Sequence, residues 1–276
     1  MLALILLLGL QAGEPAASAE ALARGDERYA HRDEGASGAR ADPSPIERAL
    51  AEYRRALALD PDSIEARCRL LRAIFFRATF CGAPEDEQRR LFDEARRIAD
   101  EGIRRIEKSR RRLKDPAWIA ALKEVPDAAH LYFWAAVSWG EGAQRRSRLT
   151  AAREGAGGRI RDLAQTVIDI DPSLEEGGGY RILGRLHDLS PRLPLLSGWV
   201  SRKAALENLR RAYGMAPHNT VNQLFLAEAI LRHEPSHREE AIELLRRLAN
   251  TTPSAAYPVE DAHYAELARR RLAELR

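Results

Sequence analysis

Apolar residues along this chain recur at intervals of three and four, the spacing that gathers them on one face of an α-helix. Leu50, Tyr53 and Leu57 form one such set, and Leu206, Leu209 and Tyr213 form another. Strand-like alternation is almost absent. A recurring phrase punctuates the pattern: a helix ends, a proline turn follows, and a new helix starts. It reads ALALDPDSIEA at 56–66, VIDIDPSLEEG at 167–177 and AYGMAPHNTVN at 212–222. Proline has no N–H to extend a helix and disfavours the helical conformation in the residue before it, so Asp60-Pro61 and Asp171-Pro172 each end a helix abruptly. Ser63, Ser173 and Asn219 then stand where a side-chain oxygen caps the next helix. Weaker copies surround Pro126 and Pro253. The prolines Pro126, Pro172, Pro217 and Pro253 fall 46, 45 and 36 residues apart, a period that denotes stacked helical hairpins. Each hairpin leaves an apolar face that only the next can cover. The expected fold is all-α, an α-solenoid of stacked antiparallel helical hairpins.

These phrases resemble tetratricopeptide repeats. Ala23, Gly25 and Tyr29, followed by Ala49, Tyr53, Ala56 and Pro61, match the small, aromatic and terminal proline positions of one repeat, split by a polar segment at 33–45. A second polar stretch at 142–158, rich in Arg, Ser and Gly, is expected to be a mobile loop. One tetratricopeptide-like domain is predicted over 20–276.

Composition narrows the possibilities. The chain has 276 residues, 44 Lys+Arg against 41 Asp+Glu (net +3), 45% hydrophobic and only 6% aromatic residues. That is globular, long enough for a substantial core, and without an apolar run of membrane-spanning length. Lys108, Lys114, Lys123 and Lys203 are the only lysines, so arginine supplies nearly all the positive charge. Arginine in place of lysine reads first as the codon bias of a GC-rich genome. Most of the arginines sit beside acids, as at 93–97 and 238–240, which argues for solvated helix faces and against a nucleic-acid partner.

The apolar run from Leu2 to Leu10 has the length of a secretory signal core, and Ala17-Ser18-Ala19 offers small residues for cleavage after Ala19. Residues 1–19 are therefore read as a signal peptide, with no Lys or Arg before the apolar run and no lipobox cysteine after it. The expected location is the periplasm. Export permits disulfides, but on one helix Cys68 and Cys81 would lie about 20 Å apart, far beyond bridging distance. They are read as separate buried thiols.

Three segments together, HLYFWAAVSWG at 130–140, GGGYRILGRLHDLSPRLPLLSGWVSRKAALENL at 177–209 and APHNTVNQLFLAEAIL at 216–231, resemble the TatT family, the tetratricopeptide-type periplasmic T components associated with some TRAP transporters. The resemblance implies an all-helical protein without catalysis or cofactor. It also implies association with a periplasmic solute-binding receptor and the handling of a small hydrophobic or carboxylate ligand. Self-association as a trimer around a central channel is a further implication.

Candidate chemistry is sparse. His233 to His237 spells H-E-x-x-H, but zinc hydrolysis needs both histidines on one unbroken helix, and Pro235 breaks it. A polar turn is expected and no metal. Gly179 and Gly184 have phosphate-loop spacing, but Arg185 and Leu186 replace its Lys and Ser/Thr. Close helix crossing is the favoured reading, with an anion-binding helix start at 177–179 as the alternative. Tyr132, Phe133, Trp134 and Trp139 cluster, yet Trp134 and Trp139 would point about 140° apart on a helix, so one part packs in the core while another faces a groove or neighbour. The segment 190–199 holds Pro191, Leu193, Pro194, Leu195, Leu196 and Trp199, and an apolar loop of this kind either tucks inward or meets a partner. Arg185 and His187 just before it are positioned to offer donors to an anion. The candidate ligand or partner residues are Trp134, Trp139, Tyr180, Arg185, His187, Leu195 and Trp199, with no catalytic residue. The alternative function is a generic tetratricopeptide scaffold that grips a peptide among envelope proteins.

Overall fold

The computed structural model describes residues 2–110, 116–191 and 198–276. Among the described residues the regular secondary structure is helical, apart from one isolated bridge between Ser37 and Arg40. Helices α1 (Leu2–Ala30) and α2 (Pro43–Leu59) form the first hairpin, and α3 (Ile64–Phe80) and α4 (Glu85–Arg110) the second. After the short α5 (Pro116–Lys123), α6 (Ala128–Gln144) pairs with α8 (Ala156–Ile170), with α7 (Arg148–Arg153) between them. Then α9 (Leu174–Leu189) pairs with α10 (Arg202–Met215) and α11 (Thr220–His233) with α12 (Arg238–Ala249), and α13 (Pro258–Glu274) follows. The long helices pack on one another in sequence as antiparallel hairpins, the tetratricopeptide-like arrangement that the apolar spacing predicts, while the short α5 and α7 pack on α8.

The proline phrases end helices where expected. Ser63 caps α3 by accepting from the Ala66 N–H at 3.1 Å, and Asn219 caps α11 by accepting from Val221 and Asn222, both at 3.0 Å. Ser173 departs from the expectation. Its N–H and hydroxyl both donate to the Asp171 carboxylate, at 2.9 and 2.6 Å, so its oxygen caps nothing. The backbone after it turns left-handed at Glu175, Glu176 and Gly177, with φ of 51°, 57° and 81°. The segment 142–158 also differs: it contains the end of α6, all of α7 and the start of α8. Ser147 caps α7 by accepting from the Thr150 N–H, and Gly155 supplies the left-handed residue before α8.

Glycines set how closely the helices approach. A Cβ on Gly25 would lie 2.5 Å from the Tyr53 ring, and one on Gly184 would lie 2.7 Å from Leu209 Cγ and 3.0 Å from its backbone nitrogen. Gly179 likewise faces Ile168 on α8 at 2.8 Å. The Gly179/Gly184 pair therefore serves helix crossing. Cys68 and Cys81 are buried free thiols, and burial pushes the Cys81 thiol up to about 11. Helix α1 runs unbroken past Ala19, and Ser18 is buried with its hydroxyl donating to the Ala56 carbonyl at 2.9 Å. Among the described residues no helix is long and apolar enough to cross a membrane.

The hairpins form two layers. Helices α2, α4, α10 and α12 lie outside, and α8 lies between the layers, its first turns facing inward. The inner helices touch one another in turn, α1 on α3, α3 on α6, α6 on α9, α9 on α11 and α11 on α13, and α13 returns to α3. The inner layer is a closed ring.

The tight crossing at Gly184 yields a stability prediction. Gly184→Ala will lower unfolding free energy by about 1–3 kcal/mol through overpacking. Gly214→Ala, where a Cβ meets nothing within 4 Å, will be neutral or stabilising, because alanine is the better helix former. Urea unfolding of both variants checks this, and equal effects would refute the crossing account.

Candidate functional site

The ring is closed by α13 lying on α3. The His263 and Tyr264 rings meet the Phe80 ring edge-on, with centroids 5.2 and 6.3 Å away. Arg32, 7% exposed in the turn just after α1, crosses the seam. Its Nε donates to Glu260 Oε1 at 3.0 Å and its Nη2 to the Ala256 carbonyl at 2.6 Å. The guanidinium also lies over the rings of Tyr29 and Phe76, at 4.8 and 5.4 Å. The approach to α13 is held by Asp261, which accepts from Ser254 N–H, Ser254 hydroxyl and Thr220 hydroxyl. Burial raises the Glu260 carboxyl pKa despite Arg32, and burial pushes the Tyr29 phenol up to about 12.

Inside the ring lies a cavity of about 2160 Å³. One face of α3 supplies part of its wall: Arg69, Arg72, Phe75, Phe76, Thr79 and Phe80 follow helical spacing and all line it. Beside them the rings of Phe75 and Trp134 are 5.7 Å apart and those of Phe133 and Trp134 5.1 Å, making a continuous aromatic surface from α3 to α6. Helix α9 contributes Arg181 and Arg185, and α13 contributes Glu260 and Tyr264. The left-handed turn at 175–177 forms part of the rim. It is held by Asn222, whose side-chain nitrogen donates to the Glu176 carbonyl at 3.0 Å, and by the Glu176 carboxylate, which accepts from Asn219 and meets His218.

Of the residues singled out from the sequence, Trp134, Arg185 and Trp199 line this cavity. Arg185 is already neutralised, by Asp188 at 3.0 Å and Glu228 at 2.6 Å, and lies over Phe225. Trp139 faces α4 instead, with its indole N–H on Asp100 and Arg96 3.8 Å above its ring. Tyr180 is covered by Arg211 at 5.7 Å, away from the cavity lining. His187 accepts from the Ser201 N–H and meets the Trp199 ring at 5.3 Å; burial lowers its pKa. Leu195 and its neighbours at 192–197 lie outside the described residues, while Pro191 and Trp199 at the two ends of the segment line the cavity. His233 ends α11 with Nε2 on the buried Asp188 carboxylate at 2.9 Å, and His237 sits in the 3-10 turn Pro235–His237. The two histidines therefore share no helix, and among the described residues no group of three or more His, Cys, Asp or Glu is placed to hold a metal.

Several lining residues escaped the sequence reading: Tyr29, Arg72, Phe75, Arg181, Tyr257 and Tyr264. The Arg72-to-Phe76 stripe on α3 was readable as a helical face, but nothing local marks which face points inward. The α13 residues reach the α3 wall through a contact more than 180 positions away in sequence.

No family model matches the chain, and no curated protein matches it. The structure is similar to the TPR2AB-domain:pHSP90-complex of yeast Sti1, with a TM-score of 0.31 and 15% identity over 94% of this chain and 96% of that one.

Two predictions concern the seam. Arg32→Ala strands a largely buried carboxylate, so it will cost about 3 kcal/mol and expose the α13 amides to hydrogen exchange; protection equal to the parent would refute the seam's role. The second concerns pH. Burial and Arg270 hold the His263 pKa below its ordinary 6.5, so the folded chain keeps this ring neutral while the unfolded chain takes up a proton. The stability this gives is complete above about pH 6.5 and falls as pH drops toward the folded-state pKa. His187 contributes in the same direction. Calorimetry of His263→Phe between about pH 7 and 5 will show a shallower loss of stability than the parent, and an unchanged slope would refute it.

Proposed function

We propose that the protein is an exported helical-repeat binding protein, a TatT-like accessory component that holds a small ligand beside a periplasmic TRAP-type solute receptor. The observation that carries this reading is the return of α13 to α3, which makes a ring around a cavity where an open solenoid would present a groove. A groove suits an extended peptide. A concave space with an aromatic wall and a few polar groups suits a small, largely apolar molecule. The volume exceeds the roughly 300–1,000 Å³ of an ordinary small-molecule pocket, leaving room for a long ligand or an inserted part of a receptor.

A protein partner is supported by the rim. Among the described residues four large hydrophobic side chains are exposed, and Leu149, Leu189 and Tyr257 of these line the cavity. Apolar side chains gathered at an opening mark a contact surface. The same rim favours the second reading, a tetratricopeptide scaffold for another envelope protein.

A neutral fluorescent probe, 1-aminoanthracene, separates the two. Ligand holding predicts saturable emission enhancement, weakened about tenfold or more by Trp134→Asp and unchanged by Lys203→Ala, whose side chain is 85% exposed. Absence of saturable binding would overturn ligand holding. Co-purification with a TRAP-type solute receptor, lost in Leu149→Asp while probe binding persists, is the result expected for the partner, and no co-purification by the parent would overturn it.

A further inference from the structure

Two arginines lining the cavity carry charge that no carboxylate balances at contact distance among the described residues. Arg181 on α9 is 8% exposed. Its hydrogen bonds both run through Nη1, to Asn222 Oδ1 at 2.9 Å and the Glu175 carbonyl at 3.1 Å, and both acceptors are neutral. Arg72 on α3 lies 4.0 Å from the centre of the Tyr29 ring, with a buried Nε that has no hydrogen-bond partner. A guanidinium withdrawn from water without a counter-ion is costly, and burial accordingly lowers the Arg181 pKa.

The rest of the lining is compensated. Arg32 pairs with Glu260, Arg69 with Asp26, Arg146 with Asp93 and Arg185 with Asp188 and Glu228, while Arg148 is exposed. The lining acids are also engaged. Glu176 holds His218 and Asn219, Asp261 holds Ser254 and Thr220, Glu141 pairs with Arg145, and Glu175 is exposed. Arg181 and Arg72 thus have no carboxylate in contact beside the aromatic wall, although the Glu175 and Glu176 carboxylates act on Arg181 from a longer range.

We propose that Arg181 and Arg72 form an anion-binding part of the cavity, and that its ligand is an amphipathic organic acid. The carboxylate neutralises these arginines while the apolar body lies along Phe75, Phe133 and Trp134. With Nη1 of Arg181 occupied, its Nε–Nη2 edge offers two parallel donors, the geometry that matches the two oxygens of a carboxylate. This assignment rests on the ligand-holding reading above, and it moves the anion donors from the neutralised Arg185 to these two residues.

Titration calorimetry of the full chain with decanoate and with decanol tests it. The expected result is that decanoate binds at least about tenfold more tightly than decanol. Arg72→Gln and Arg181→Gln should each weaken decanoate about tenfold or more without changing decanol, and Arg181→Lys should restore part of the loss. Because Arg181 also holds the turn at 175–177, Arg72→Gln, which has no bond there, carries the test if Arg181→Gln melts early. Equal binding of the acid and the alcohol, or unchanged decanoate binding by Arg72→Gln with parental melting, would overturn the anion assignment. Binding of 1-aminoanthracene without decanoate would overturn that assignment alone, and binding of neither would overturn the ligand-holding reading with it.

Discussion

Everything distinctive about this molecule depends on α13 lying against α3. A helical-repeat array has no intrinsic reason to close, because each hairpin needs only its neighbours. Here the last inner helix covers Phe80 with His263 and Tyr264 and is keyed in place by Arg32 and Glu260. The rings supply apolar burial, which is not directional. The ion pair adds little net stability against its desolvation, but it fixes which residues meet, since a shifted register would leave a buried charge unpaired. Closure then turns six inner helix faces toward one another and makes a cavity of what would otherwise be one side of a groove.

Arginine explains much of how such an interior is tolerated. Its planar guanidinium pairs with carboxylates through two nitrogens and also lies flat on aromatic faces. Arg96 over Trp139, Arg145 over Phe92 and Arg185 over Phe225 show both uses at once, because each also reaches an acid or carbonyl. Many of the charges do lie on solvated faces, paired along one helix as in Arg90–Asp86 and Arg105–Glu101, while a few, such as Arg32–Glu260 and Arg185–Glu228, join elements inside the molecule. Like Arg181, buried Arg67 bonds only to neutral groups, the Ile98 and Pro61 carbonyls, but it lies outside the cavity lining; what sets Arg181 apart is that it lines the cavity.

The helices were legible because proline and capping chemistry is local. Asp60-Pro61 with Ser63, and Pro217 with Asn219, mark their boundaries within a few residues. Ser173 misled because Asp171 takes its hydroxyl, a competition that residue type alone does not reveal. The segment 142–158 looked like a loop because its glycines and serine are turn formers. In the chain they bracket a six-residue helix, and Arg146 anchors that bracket to Asp93 and Glu154. The cavity was half legible. Trp134 and Trp139 had to diverge on a helix, and they do, one toward the cavity and one toward α4. Which of them faced inward, and that an inside existed at all, depended on the return of α13, a contact between distant segments that no periodicity encodes.

The central claim is that the ring is closed, and the most direct measurement is an electron–electron spin distance across the seam. Positions 32 and 256 touch through a 2.6 Å hydrogen bond, so labels at the adjacent exposed sites His31 and Ala255, with Cys68 and Cys81 buried and unreactive, report closure. A closed ring predicts one short, narrow distance distribution. A broad distribution dominated by long separations would contradict it and return the molecule to an open solenoid.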